Sequence, residues 1–303
     1  MEKKNSSEDI KKLIIETQKK VYANYQRQQI YEPGHTDGKK LLPNRDEVIS
    51  IIRELRRLMF PGFFGTENTA ILPLENFAGT SLASIYEKLY TQIKIGLMFS
   101  DKENINIEEN AKEISMQFIE ALPDIQELIW GDVEAELMGD PAAGSMEEVI
   151  FSYPGLYAIF VYRLAHVLYE KKVPLIPRMM TEHAHGKTGI DINPGACIGK
   201  HFFIDHGTGI VIGETTIIGD NVKIYQGVTL GALSTRKGQE LSGSKRHPTI
   251  EDNVVIYANT TILGGDTVVG RNSVVAGNTF IIQSIPENTK VSAYMPELKL
   301  KSL

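Results

Sequence analysis

The stretch "GIDINPGACIGKHFFIDHGTGIVIGETTIIGDNVKIYQGVTLG" (residues 189–231) decides the fold. Ile192, Ile198 and Ile204 stand six residues apart, and Ile212, Ile218, Ile224 and Leu230 repeat that spacing. After a long loop Ile250, Ile256 and Ile262 resume the beat, and a one-residue slip then leads to Leu263, Val269, Val275 and Ile281. A period of six is neither helical nor a simple strand alternation. It predicts a parallel β-helix in which each unit supplies one short strand and one tight corner. Three units make a triangular coil of about 18 residues, and coils stack at about 4.8 Å. The beats account for about four coils, each aliphatic residue pointing inward onto its equivalent in the next coil.

The beat slips by two between Ile204 and Ile212, on Asp205, His206, Gly207, Thr208 and Gly209. Two extra residues push a turn out of the wall, and the glycines supply its backbone freedom. His206 is therefore expected on the surface. Asp205 is adjacent, Asp191 lies about one coil earlier and Glu214 follows the bulge. An imidazole oriented by a carboxylate is suited to taking a proton from an alcohol at neutral pH. The second irregularity is a loop of 18 residues, Gly231 to Pro248, with Arg236, Lys237, Lys245 and Arg246 against one acid, Glu240. A basic loop over a cleft suits a phosphorylated or carboxylated ligand. Arg246-His247-Pro248 rejoins the repeat, which fixes its geometry best.

Upstream the pattern is helical. Of the 26 glycines, 16 lie from Gly186 onward, so the change of regime falls near there. Asn44 with Glu47 is a capping-box signature ahead of Val48, Ile51, Ile52, Leu55 and Leu58. Leu82 to Leu97 repeats the spacing, and further helices are expected over 106–121, 124–138, 145–152 and 155–171, with Ser145 and Glu148 as a second box. Residues 1–30 are expected to be helical too. The reading gives an α-helical domain over 1–185, the β-helix over 186–285 and a short tail over 286–303.

At 303 residues and 42% apolar content the chain is globular, and a net charge of −6 offers no footprint for nucleic acid or an anionic membrane. Its polar start carries no secretory signal, and "GLYAIFVY" is too short to span a bilayer. One cysteine, Cys197, cannot form an internal disulfide, and a cytoplasmic location is expected.

An ordered set of motifs resembles a known family. "GDPAA" (139–143), "YPGLYAIFVYRLAHVLY" (153–169), the stretch 189–215, "GVTLG" (227–231) and "KRHPTI" (245–250) are similar to those of serine O-acetyltransferases. The resemblance spans roughly residues 132 to 290. It implies a left-handed parallel β-helix and acetyl transfer from acetyl-CoA to L-serine on the way to cysteine. It also implies direct transfer without an acyl-enzyme, which fits a lone Cys197 placed in the repeat core. By position, His206 matches the general base and Asp191 the carboxylate orienting it. Asp140 and Asp205 match acids contacting the substrate, and Arg246 and His247 the pair at its carboxylate and hydroxyl. Gly231 and Ala258 match positions along the CoA arm, and Glu214 an acidic position of open role. No cofactor is held permanently; acetyl-CoA is a co-substrate. The family implies a homotrimer or dimer of trimers and feedback inhibition by L-cysteine. A complex with O-acetylserine sulfhydrylase would use a tail ending in isoleucine, whereas this chain ends in Leu303.

Two other readings share the prism. One is acetyl transfer to another acceptor, such as a sugar, against which Asp140, Asp205, Glu214 and Arg246 argue for an amino acid. The other is a γ-class carbonic anhydrase, suggested by His201 and His206 with His183 and His185 near, the latter pair read as a linker. A catalytic zinc needs three protein ligands converging on it.

Overall fold

The structure, a computed structural model, describes residues 5–27, 41–65, 73–100, 106–234, 236 and 238–293. The chain divides into two compact units, Met1–Leu42 and Pro43–Leu303. The described part of the first contains one helix, α1 (Asn5–Arg27), within the expected 1–30.

In the second unit, helices and solenoid form a continuous core. α2 (Arg45–Met59) starts at Asn44, whose side chain accepts from Asp46 N at 2.9 Å and Glu47 N at 3.3 Å. Its stripe Val48, Ile51, Ile52 and Leu55 is buried and packs on α3 (Leu74–Ser100). Burying each such side chain stabilises by about 1.5–3 kcal/mol. The two helices expected over 106–121 and 124–138 are one, α4 (Ile107–Gly139), with Pro123 inside. An interior proline costs about 3 kcal/mol in a helix. Here Phe118, Leu122, Ile125, Ile129 and Val133 are all buried along one stripe, and that packing carries the helix through. α5 (Met146–Ser152) begins at Ser145, whose hydroxyl accepts from Glu148 N at 3.2 Å. α6 (Pro154–Glu170) follows, and α7 (Ile176–Thr188) occupies the segment read as a linker, so His183 and His185 are helical.

The solenoid has three parallel faces. The first carries β1 (Asp191–Ile192), β4 (Val211–Ile212), β7 (Thr229–Gly231), β10 (Thr261–Leu263) and β13 (Phe280–Ile281). The second carries β2 (Cys197–Ile198), β5 (Ile217–Ile218), β8 (Thr249–Ile250) and β11 (Val268–Val269). The third carries β3 (Phe203–Asp205), β6 (Lys223–Tyr225), β9 (Val255–Ile256), β12 (Val274–Val275) and β14 (Lys290–Val291). The register stacks the beat on itself: Ile192, Ile212, Leu230, Ile262 and Ile281 form one column, and Ile204, Ile224, Ile256, Val275 and Val291 another. There are about five coils rather than four, because the Ile285 bridge to Val269 and β14 complete a level that begins at the last beat, Ile281. α7 runs past residue 185 and β14 lies past 285, while residues 294–303 of the expected tail lie outside the described residues.

Cys197 corrects one expectation. It precedes the core position Ile198 on a two-residue strand, so alternation turns its side chain outward, and it is exposed.

A β-solenoid leaves its first coil with unpaired backbone groups, which invites edge pairing. Here helix side chains satisfy them. Tyr162 donates to Ala196 O at 2.5 Å and Arg163 to Gly199 O at 2.8 Å, while Pro194 O meets His166 Nδ1 at 2.8 Å. Asp132 accepts from Phe202 N at 3.0 Å and Glu136 from Ile204 N at 3.3 Å. Asp132 and Arg163 also form a fork pair at 2.5 and 2.8 Å, both buried. These bonds fix the end of α4, and with it Asp140, against the bulge at 205–209.

Candidate active site

The predicted residues fall into two sets on two corners of the prism. The corner from third to first face carries the bulge between β3 and β4. There His206 has φ +55°, followed by Gly207 at +80° and Gly209 at +82°. A Cβ on Gly207 would meet Ile190 Cδ1 at 2.4 Å, so the turn needs glycine on steric as well as conformational grounds. The His206 side chain is 72% exposed, with Nδ1 3.4 Å from Asp205 Oδ1.

Asp140 caps the C-terminus of α4 beside this corner. Its carboxylate accepts from Tyr153 Oη at 2.6 Å and from Ala142 N at 2.8 Å. The Tyr153 hydroxyl, the Ala142 N–H and the attraction of His206 hold the Asp140 carboxyl below its usual range. Beneath lies Glu136, fully buried, with Oε1 on Ile204 N and Oε2 without a hydrogen-bond partner. Burial raises its pKa well above the ordinary carboxylate value, and Asp132, Asp205 and Asp140 push the same way.

Asp191 sits on β1, where the first face begins. Its Oδ1 accepts from Arg178 Nη1 at 3.2 Å, and Arg178 also pairs with Glu182. Among the described contacts, the carboxylate within ion-pair distance of His206 is that of Asp205, and Asp191 is tied to α7. Ala258 lies on the same corner two coils along, its carbonyl accepting from Asn278 N at 2.9 Å. Tyr225, in register with Asp205, stacks on Tyr257 beside it with ring centroids 5.0 Å apart.

The corner from first to second face carries the other set. Glu214 and Thr215 lie between β4 and β5, and Arg246 and His247 come just before β8. Arg246 pairs with Glu214, whose second oxygen accepts from Tyr169 Oη at 2.8 Å. Burial alone would raise the Glu214 carboxyl, but the bonds from Arg246 and Tyr169 outweigh it and hold it down. Burial and the Glu214 contact push Tyr169 up to about 12. Lys245 donates to Thr215 O at 2.7 Å and Pro248 O at 3.2 Å, clamping the loop's return. Gly231 ends β7 at this corner, and a Cβ there would lie 2.8 Å from Leu263 Cδ2. Arg236 is exposed on the loop, and Lys237 lies outside the described residues.

Sequence reasoning did not assign roles to Tyr153, Thr215, Tyr169, Glu136 or Arg178. Each acts on a predicted residue or on the backbone beside it through hydrogen bonds or burial, and no periodicity marks such a partner. The histidines of the zinc reading do not converge: His201 belongs to the corner between second and third faces, with Nδ1 3.0 Å from Gly131 O, so it does not share the corner of His206, and His185 lies on α7 grouped with Glu182 and Asp191.

No family model matches the chain. It is 44% identical over 261 residues to the plasmid serine acetyltransferase of Synechococcus elongatus, covering 83% of this chain and 82% of that protein. Serine acetyltransferase 1 of Entamoeba histolytica, solved in complex with L-cysteine, superposes with a TM-score of 0.71 at 37% identity, over 80% of this chain and 86% of that one. The hexapeptide-repeat serine O-acetyltransferase of Brucella melitensis superposes at 0.53 with 27% identity, over 80% and 95% of the two chains. With the solenoid and its corner histidine, these place the protein among the hexapeptide-repeat acyltransferases. Within that class the chain belongs to the serine acetyltransferase family.

Proposed function

We propose that the protein transfers the acetyl group of acetyl-CoA to the hydroxyl of L-serine, giving O-acetyl-L-serine and CoA, the activated serine from which cysteine is made. His206 takes the hydroxyl proton as the serine oxygen attacks the thioester carbonyl carbon. The tetrahedral oxyanion collapses, the C–S bond breaks, and the imidazolium returns the proton to the CoA sulfur. No acyl-enzyme is needed.

Asp140 and Asp205 hold the ammonium group. Arg246 and His247 meet the carboxylate and hydroxyl end, and Glu214 and Tyr169 aim the guanidinium. Asp191, anchored by Arg178, orients the base side of the cleft. The CoA arm runs past Gly231 and Ala258. Because the two sets occupy different corners, a complete site forms where the third-to-first corner of one chain faces the first-to-second corner of a neighbour, as in a trimer or a dimer of trimers. L-Cysteine shares the ammonium and carboxylate of serine, and the L-cysteine complex of the Entamoeba relative supports its binding here as inhibitor. No described helix is long and apolar enough to cross a membrane, and the expected cytoplasmic setting accords with that.

The observation that carries this reading is the convergence of Asp140, Asp205 and His206 on one corner. The test follows CoA release from acetyl-CoA with and without L-serine. Serine-dependent release that falls about 10²–10⁴-fold in His206→Ala supports the mechanism. Equal release with and without serine overturns the acceptor.

A further inference from the structure

Thr215 stands next to Glu214 and holds His247 by two groups. Its backbone N–H donates to His247 Nδ1 at 3.0 Å, and its hydroxyl oxygen lies 2.9 Å from the same nitrogen. That hydroxyl accepts two backbone N–H groups, from Arg246 at 2.9 Å and His247 at 3.1 Å. A backbone N–H can only donate, so Nδ1 is an acceptor. The hydroxyl, its lone pairs occupied, has its own hydrogen left to give to Nδ1. The imidazole therefore carries its hydrogen on Nε2.

The ring is held as firmly as its tautomer. His247 is 8% exposed and lies against Gly213, where a Cβ would fall 2.1 Å from its Cδ2. The charges around it come from three elements: Arg246 and Lys245 on its own segment, Glu214 on the corner before β5, and Tyr169 of α6 behind Glu214. Burial first, then Arg246 and Lys245, lower its pKa to about 4, against the opposing pull of Glu214.

We propose that Thr215 is a positioning residue that locks His247 as a neutral Nε2–H donor, so that the two histidines of the site divide into a base, His206, and a fixed hydrogen-bond donor, His247. This rests on the function proposed above. A neutral N–H that cannot be lost or reversed within the working pH range is the kind of donor that an oxygen gaining charge during acyl transfer requires. Protonation of Nδ1 would displace both Thr215 donors, so His247 does not compete with His206 for the substrate proton.

The experiment pairs nitrogen-15 NMR of histidine-labelled protein with serine-dependent kinetics across pH. The chain has seven histidines, and His247 is identified by the signal lost in His247→Asn. The expected native spectrum shows the Nε2–H tautomer with no titration until pH approaches about 4. Thr215→Val removes the hydroxyl that donates to Nδ1 and accepts from the N–H groups of Arg246 and His247, so the ring is no longer held in register with the Thr215 N–H. It is expected to mix the tautomers and lower kcat/KM about tenfold, while the titration, set by burial and by Arg246 and Lys245, stays low. Thr215→Ser is expected to restore the tautomer and kcat/KM. A native His247 with its hydrogen on Nδ1, or a Thr215→Val protein with native tautomer and native kcat/KM, overturns the proposal. The spectrum reads the tautomer without reference to turnover: an Nε2–H signal in a protein that releases no CoA with serine supports the lock and overturns the acceptor instead.

Discussion

His206 and Arg246 stand on different corners of the same prism, with the whole first face between them. Each corner is complete by its own standards. One gathers Asp140, Tyr153, Asp205 and His206; the other gathers Glu214, Tyr169, Thr215, Arg246 and His247. An amino acid has an ammonium and a carboxylate too close together to be gripped from two corners of one prism. In the proposed function the two halves meet across a boundary between chains, an arrangement that a self-stacking solenoid with free outer faces readily permits.

Tyr153→Phe removes the hydroxyl that donates to Asp140 at 2.6 Å and leaves only the Ala142 N–H. The KM for serine is expected to rise roughly tenfold, the worth of one hydrogen bond to a charged group, while the KM for acetyl-CoA moves less than about twofold. Steady-state kinetics with each substrate varied in turn checks this. An unchanged serine KM would remove Asp140 from the ammonium site.

Asp132→Ala strands the buried guanidinium of Arg163 and frees the Phe202 N–H of the first coil. Breaking a buried pair on one side costs about 3–5 kcal/mol. Denaturant unfolding should show a loss of that size, and a loss under about 1 kcal/mol would contradict the role given to this pair in closing the open end of the solenoid.

Glu136 makes stability fall with rising pH. Its folded pKa is raised well above 4.5, so the folded state keeps a proton that the unfolded chain releases once pH passes 4.5. Its contribution is therefore full below that pH and declines as pH climbs toward the raised value. Glu136→Gln keeps an acceptor for Ile204 N and has no proton to lose. Its stability relative to the native protein should grow with pH above 4.5, in thermal unfolding at a series of pH values. A difference that does not change with pH would mean that Glu136 is ionised in the folded protein.

Much of this was legible in the sequence because a solenoid writes its fold as a count. Ile192, Ile212 and Leu230 stack where the beat puts them, and the two-residue slip at 205–209 does expel His206. Asn44 and Ser145 cap their helices as their spacing predicts. What escaped notice is set by tertiary contacts that leave no period. Pro123 is carried inside α4 by the burial on either side of it, and α7 is a short helix with few apolar residues to mark it. Cys197 faces out because alternation within a two-residue strand outranks its apolar character. Thr215 and Tyr153 touch their histidine and aspartate through a fold that brings residues 32 and 13 positions apart together.

The most direct measurement mixes two inactive proteins. His206→Ala and Arg246→Ala chains, each without serine-dependent CoA release on its own, are co-refolded or co-expressed in equal amounts and assayed. If each site takes His206 from one chain and Arg246 from its neighbour, about a quarter of the clefts in the mixed assemblies regain both residues, and activity returns in proportion. If both residues served the same chain's site, no mixture could restore one, and the absence of any recovered activity in verified mixed assemblies would contradict the two-corner site.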